Sequence, residues 1–196
     1  MNYKTLPKGY RRVEVMDFMR NRKQMTIVAV SGLAATVVML AVGLLTKPFA
    51  PTWAWLRTNW WAWLVTPAMY VAYIPLHELT HGLPMHALSG VKPVYGLRFP
   101  YAYAGSRVWF DRRSHAFIAL APLVLWGIAL FALGELLPGQ WWWPLYIIQI
   151  SNISGSAGDV YCVLHMSRLS KDIVIQDTGT RMLICAPVPT KNEEPK

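Results

Sequence analysis

The sequence predicts an all-α membrane protein of about four transmembrane helices, with a small β-hairpin segment at the cytoplasmic interface. Three observations lead there. Hydrophobic residues make up 54% of the 196-residue chain and charged residues only 15%, whereas a soluble domain carries about a quarter. Four long apolar stretches recur along the chain, and lysine and arginine gather on one side of them.

The first stretch, Met25 to Leu45, holds 21 uncharged residues, enough for a hydrocarbon core of about 30 Å. It is longer than a secretory core segment and lacks a convincing small-x-small cleavage site, so we expect it to be retained. The second stretch runs from Trp60 to about Leu83, the third from His115 to Leu133 with Pro122 inside it, and the fourth from Trp141 to about His165. Lys47–Asn59 and Gly134–Gln140 read as short connections. This divides the chain into a basic N-terminus (1–24), a four-span membrane domain (25–165) and a C-terminal tail (166–196).

Charge sets the orientation. Of the 19 lysines and arginines, only Lys47 and Arg57 fall on one side of the spans. The other 17 lie in the N-terminus, the loop between spans two and three, and the tail, which puts both termini in the cytoplasm. Trp53, Trp55, Trp60, Trp61, Trp63, Trp141, Trp142 and Trp143 then collect at the outer interface, where an aromatic belt accounts for them. The net charge of +9 follows this topology rather than forming a basic stripe, so no nucleic-acid partner is expected; the lipid bilayer is. Cys162 and Cys185 lack metal-cluster spacing and map to the cytoplasmic side, where thiols stay reduced.

Within span two stands His77-Glu78-Leu79-Thr80-His81. Residues four apart share one helix face, so two imidazoles at that spacing can close on one zinc ion. Glu78 is rotated off the pair, in the position of the base that deprotonates water in a zinc hydrolase. A bland pair of helix histidines with a capping glutamate would be costly inside a membrane span.

A catalytic zinc takes three protein ligands and an open position. Glu78 and Asp159 are the acidic residues within the spans. His77 comes 17 residues after Trp60 and Asp159 comes 18 after Trp141. At 1.5 Å per residue both lie roughly 25–27 Å inward. Asp159 is therefore the candidate third ligand, with a helix cap beside Gly158 as the alternative. Asn152 and Ser156 share its stripe, so Asn152 either binds substrate and a developing oxyanion or makes an interhelical hydrogen bond. Pro75 and Pro84 bracket the motif, and such breaks persist in a membrane only where protein or a wet cavity covers them.

The order of these features resembles the site-2 protease class of intramembrane zinc metalloproteases. More closely, it resembles a group of small bacterial membrane proteins known as putative zincin peptidases. The likeness runs from Trp60 to Cys185 through HELTHG (77–82), NISGSAGD (152–159) and the tail Gln176-Asp177-Thr178-Gly179. It implies zinc on His77, His81 and Asp159, Glu78 as catalytic base, a membrane-protein or peptide substrate, and residence in the bacterial cell membrane. The site-2 class sets its aspartate in an Asn-Pro-Asp-Gly-like turn, whereas Ser-Ala-Gly precedes Asp159 here.

His86 lies beyond Pro84, out of ligand spacing. His115 and His165 read as interfacial side chains that snorkel or contact lipid phosphate. The loop Gly90–Arg113 alternates apolar and polar residues with Gly96 and Gly105 as turn candidates, giving one or two hairpins whose edge could take an extended substrate. Ile173, Ile175, Met182 and Ile184 around Asp177-Thr178-Gly179 suggest another hairpin before a Pro- and Glu-rich end. Two functions remain: an intramembrane zinc metalloprotease cutting near the cytoplasmic face, or a non-proteolytic zinc protein such as a sensor, transporter or inactive scaffold.

Overall fold

The computed structural model describes residues 2–18, 20–98 and 101–188. The chain is mostly helical with a small antiparallel sheet. Strand β1 (Tyr10–Met16) leads into helix α1 (Arg22–Thr46), whose first turn is capped by the Asn21 side chain accepting from Gln24 N at 3.1 Å. Helix α2 covers Ala50–Thr58 and α3 covers Ala62–Ser89. Strands β2 (Val94–Arg98) and β3 (Tyr101–Gly105) form the expected hairpin, and β4 (Phe110–Asp111) precedes α4 (Arg112–Leu136). After a single 3-10 turn come α5 (Trp142–Gly155), α6 (Ala157–Ser167), β5 (Val174–Asp177) and β6 (Met182–Pro187).

Among the described residues, two helices, α1 and α4, are long and apolar enough to cross a membrane. The other two expected spans differ from that expectation. The second is α3, which runs unbroken through Pro67, Pro75 and Pro84. The fourth is two helices of 14 and 11 residues, parted at Ser156. The expected loop Lys47–Asn59 is mostly helix α2, because Pro51 suits a first helical turn and its tryptophans have aromatic partners. Trp55 packs edge-on to Trp61 at 5.3 Å and against Trp141 at 4.7 Å.

The tail hairpin forms as expected, but the two segments set apart as separate tails make one structure. β1 pairs with β6, and the sheet runs β1-β6-β5-β4. The alternation in β1 is hard to read in a segment so rich in arginine. The Pro- and Glu-rich end beyond the hairpin lies outside the described residues. Gly96 and Gly105 do not turn the chain; both sit inside strands. Gly105 lies where a methyl group would come 2.4 Å from the Thr178 carbonyl carbon, so the hairpin can press against the β5–β6 turn.

Two clusters fix the sheet to the helices. Met16, Cys162, Met166, Ile173, Ile175 and Ile184 are buried together and join three strands' neighbourhoods to α6. Met85, Val108, Phe110 and Ile118 join α3, α4 and the start of β4. Each such side chain contributes about 1.5–3 kcal/mol on burial. The sheet thus closes over the ends of α3, α4 and α6 that carry His81, His115 and Asp159.

Candidate metal centre

The i, i+4 spacing on α3 puts His77 and His81 on one face, their ring centroids 5.1 Å apart. Asp159 enters from the first turn of α6, which starts one residue after α5 stops. Gly155, Ser156, Ala157 and Gly158 are small, and α1 approaches here so closely that a methyl on Gly32 would meet the Ser154 carbonyl oxygen at 3.0 Å. His81 Nε2 lies 3.6 Å from Asp159 Oδ2. One donor atom from each of His77, His81 and Asp159 falls within 4.8 Å of the others. Ligands at 2.0–2.2 Å around a tetrahedral ion stand about 3.3–3.6 Å apart, close to the spacing of these three donors.

Both imidazoles already use their other nitrogen. His81 Nδ1 is 3.0 Å from the Ile118 carbonyl oxygen, and His77 Nδ1 is 2.8 Å from the Tyr73 hydroxyl. Each therefore has Nε2 left for an ion, the arrangement found where outer hydrogen bonds orient zinc histidines. The donor set, two imidazoles and a carboxylate, suits zinc with one position open.

Glu78 is partly buried beside these donors. A cavity of about 360 Å³ borders Glu78 and all three candidate ligands. Its wall also carries two residues whose partnership the spacing of the sequence did not reveal. His115, expected at the interface, is 2% exposed, and its Nε2 lies 3.8 Å from Asp177 Oδ2. The other Asp177 oxygen accepts from Gly179 N at 2.8 Å, and the Asp177 carbonyl accepts from Ser106 N at 2.6 Å. Because β5 returns Asp177 to the cavity only through sheet pairing with β4 and β6, local sequence gives no hint of it. His165 also departs from the interfacial reading: it pairs with Glu14 of β1 at 2.9 Å.

Asn152 is 0% exposed and lines no part of this cavity. Its Oδ1 accepts from the Tyr73 hydroxyl at 2.8 Å and its Nδ2 donates to the Leu123 carbonyl at 3.2 Å. The interhelical hydrogen bond, one of the two readings of Asn152, is present in the structure. Tyr73 is the residue that sequence reasoning passed over here. It stands four before His77 on the same stripe, so its position was readable. Its partner was not. His86 is exposed and stands outside the donor group.

The hairpin β2–β3 is seated directly on the motif. A methyl group on Gly82 would fall 2.0 Å from the Tyr95 hydroxyl oxygen, so only glycine lets Tyr95 lie across α3 at that point. Burial raises the Tyr95 phenol above its ordinary value, with Glu78 adding to the rise, and the hydroxyl stays neutral.

A family profile described as "Putative zincin peptidase" matches residues 70–174, more than half of the chain. The chain is also 30% identical over 125 residues to an uncharacterized 24.7 kDa protein of Pyrococcus woesei, covering 61% of this chain. It spans about half the length of that relative, 53%. No solved structure matches.

Proposed function

Because the chain belongs to the "Putative zincin peptidase" family, we propose that it is a zinc metallopeptidase that hydrolyses peptide bonds of membrane proteins near the cytoplasmic face. The observation that carries this reading is the convergence of His77, His81 and Asp159 within 4.8 Å, with Glu78 beside them on one cavity. His77, His81 and Asp159 would hold the ion. When bound, zinc would polarise the scissile carbonyl and acidify water. Glu78 takes the proton of the attacking water and returns it to the leaving amine as the C–N bond breaks. The His115 imidazole, with Nε2 3.8 Å from Asp177 Oδ2, lines the same cavity and would donate to the developing oxyanion.

The membrane setting is supported by α1, whose apolar side chains face outward: Val30, Leu33 and Val37 are 60%, 65% and 59% exposed. With α3 and the α5–α6 pair crossing beside α1 and α4, both termini stand in the cytoplasm. Ala102, Tyr103 and Ala104 of β3 border the cavity, so an extended substrate lying along that strand would bring its carbonyl to Glu78. Comparison of wild type with Glu78→Gln on a panel of single-span membrane proteins tests the reading. Glutamine keeps the size but cannot accept the proton, so zinc should stay near one per chain while turnover falls about 10²–10⁴-fold. Identical fragment patterns from the two proteins would make the chain a non-proteolytic zinc protein.

A further inference from the structure

Helix α4 supplies no candidate ligand, yet both imidazoles are oriented from it. Ile118, whose carbonyl His81 reaches, stands four residues before Pro122 in an unbroken helix. Proline has no amide N–H, so the carbonyl four residues earlier loses its helical donor and keeps its lone pairs available. The carbonyl that His81 uses is the one that Pro122 releases. A carbonyl can only accept, so His81 Nδ1 carries the proton and Nε2 the lone pair.

The same reasoning runs along a longer path to His77. The Leu123 carbonyl accepts, so the Asn152 group 3.2 Å from it is the NH2. Asn152 Oδ1 then faces Tyr73 at 2.8 Å and can only accept the hydroxyl proton. With its proton committed, the Tyr73 oxygen accepts from His77 Nδ1–H at 2.8 Å, and His77 Nε2 carries the lone pair. Every bond direction in the path follows from one backbone carbonyl. The main-chain carbonyl of Asn152 also accepts from Ser156 N at 3.2 Å, at the break just before Asp159. Asn152 therefore bonds both the tyrosine behind His77 and the chain break before Asp159. A further tie, Trp126 Nε1 donating to Thr80 Oγ1 at 3.0 Å, holds the two helices in register between the histidines' turns.

We propose that α4 is a positioning template for the metal centre: the Ile118 carbonyl released by Pro122 orients His81, and the Leu123 carbonyl, through Asn152 and Tyr73, orients His77. Both rings then present Nε2 to one ion. The template rests on His77 and His81 being metal ligands and does not depend on the chain being a protease. Pro122, Tyr73 and Asn152 are positioning residues that touch neither ion nor substrate.

The test is the zinc affinity of the purified full chain in detergent, measured by competition with a chelator. Tyr73→Phe removes one oxygen and leaves the ring. Pro122→Ala returns an amide that reclaims the Ile118 carbonyl. Each should weaken zinc binding roughly 10–100-fold, the usual loss when an outer partner of a zinc histidine is removed. Thermal unfolding of the metal-free protein separates this from a structural defect: Pro122→Ala should unfold no earlier than wild type, because alanine suits a helix interior far better than proline. Pro67→Ala, in a helix proline that releases no carbonyl to the site, should leave affinity unchanged. Wild-type affinity in both Tyr73→Phe and Pro122→Ala overturns the template even if cleavage is intact, and loss in Tyr73→Phe alone removes its His81 half. A wild-type chain that takes up no zinc would instead sink the ligand assignment on which the template stands.

Discussion

Helices α3 and α4 are nearly equal in length, 28 and 25 residues, and both carry proline in their interiors. They contribute opposite things to the site. α3 brings the imidazoles proposed to hold an ion, while α4 brings the backbone carbonyls proposed to set which nitrogen of each faces it. A change on α3 removes an atom from the centre. A change on α4 leaves every candidate ligand in place and alters only its orientation. The comparison separates having the ligands from having them set.

The largest effect that sharpens this difference is expected on α3. His81→Ala removes one of three donors, and bound zinc should fall to a small fraction of one per chain by elemental analysis, well beyond the effect of any α4 substitution. If His81→Ala retained stoichiometric zinc, the two helices would not divide the work in this way. A smaller effect is expected where α3 meets the hairpin. Gly82→Ala puts a methyl into the Tyr95 hydroxyl; the half-exposed Tyr95 ring can swing off α3, so the cost should be small, about 0.5 kcal/mol. The expected readout is a lowered Tm with zinc affinity close to wild type, since the donors and both Nδ1 partners are untouched. Loss of zinc binding there, with the fold intact, would mean that the hairpin shares the orienting role assigned to α4.

The smallest effect belongs to the far end of α4. Lys47 Nζ lies 3.0 Å from Glu135 Oε2, and Trp142 Nε1 reaches the other oxygen at 3.2 Å. The hydrogen bond from Lys47 holds the Glu135 carboxyl below its ordinary value of 4.5. A carboxyl lowered in this way stabilises the folded chain above the ordinary value, and the contribution fades as pH falls through the lowered one. The group is exposed, so Glu135→Gln should move Tm only slightly near neutrality and not at all in strong acid, with zinc binding unchanged throughout. A large shift would mean that this end of α4 is tied to the template.

The same division explains what the sequence made legible. His77, Glu78 and His81 announce themselves through spacing on one helix, and depth counting along two apolar stretches reached Asp159. The hairpins followed from alternation; Thr178-Gly179 marked the turn of the second, whereas Gly96 and Gly105 lie within the strands of the first. The orienting groups were out of reach because a carbonyl has no letter of its own. Pro122 was visible in its helix, but that it releases the Ile118 carbonyl to His81 depends on how α3 and α4 cross. Asn152 was found for its polarity in an apolar stretch, and its hydrogen-bond partners could be identified only by seeing which groups face its two ends. His115 and Asp177 lie far apart in sequence and meet through β4–β5 pairing. The strand β1 was missed because its arginines read as topology signals, and its pairing with β6 joins segments that no local pattern connects.

That pairing has a consequence for how the chain is made. Synthesis delivers residues 10–16 before their partners 182–187, so β1 must wait until every helix between them has been made before it can pair. Met16 and Phe18, which border the cavity, wait with it. Contacts this distant in sequence are slow to form. The helices that carry His77, His81 and Asp159 are therefore in place before the sheet closes over them, and for that interval the site stands open to ions from the solvent.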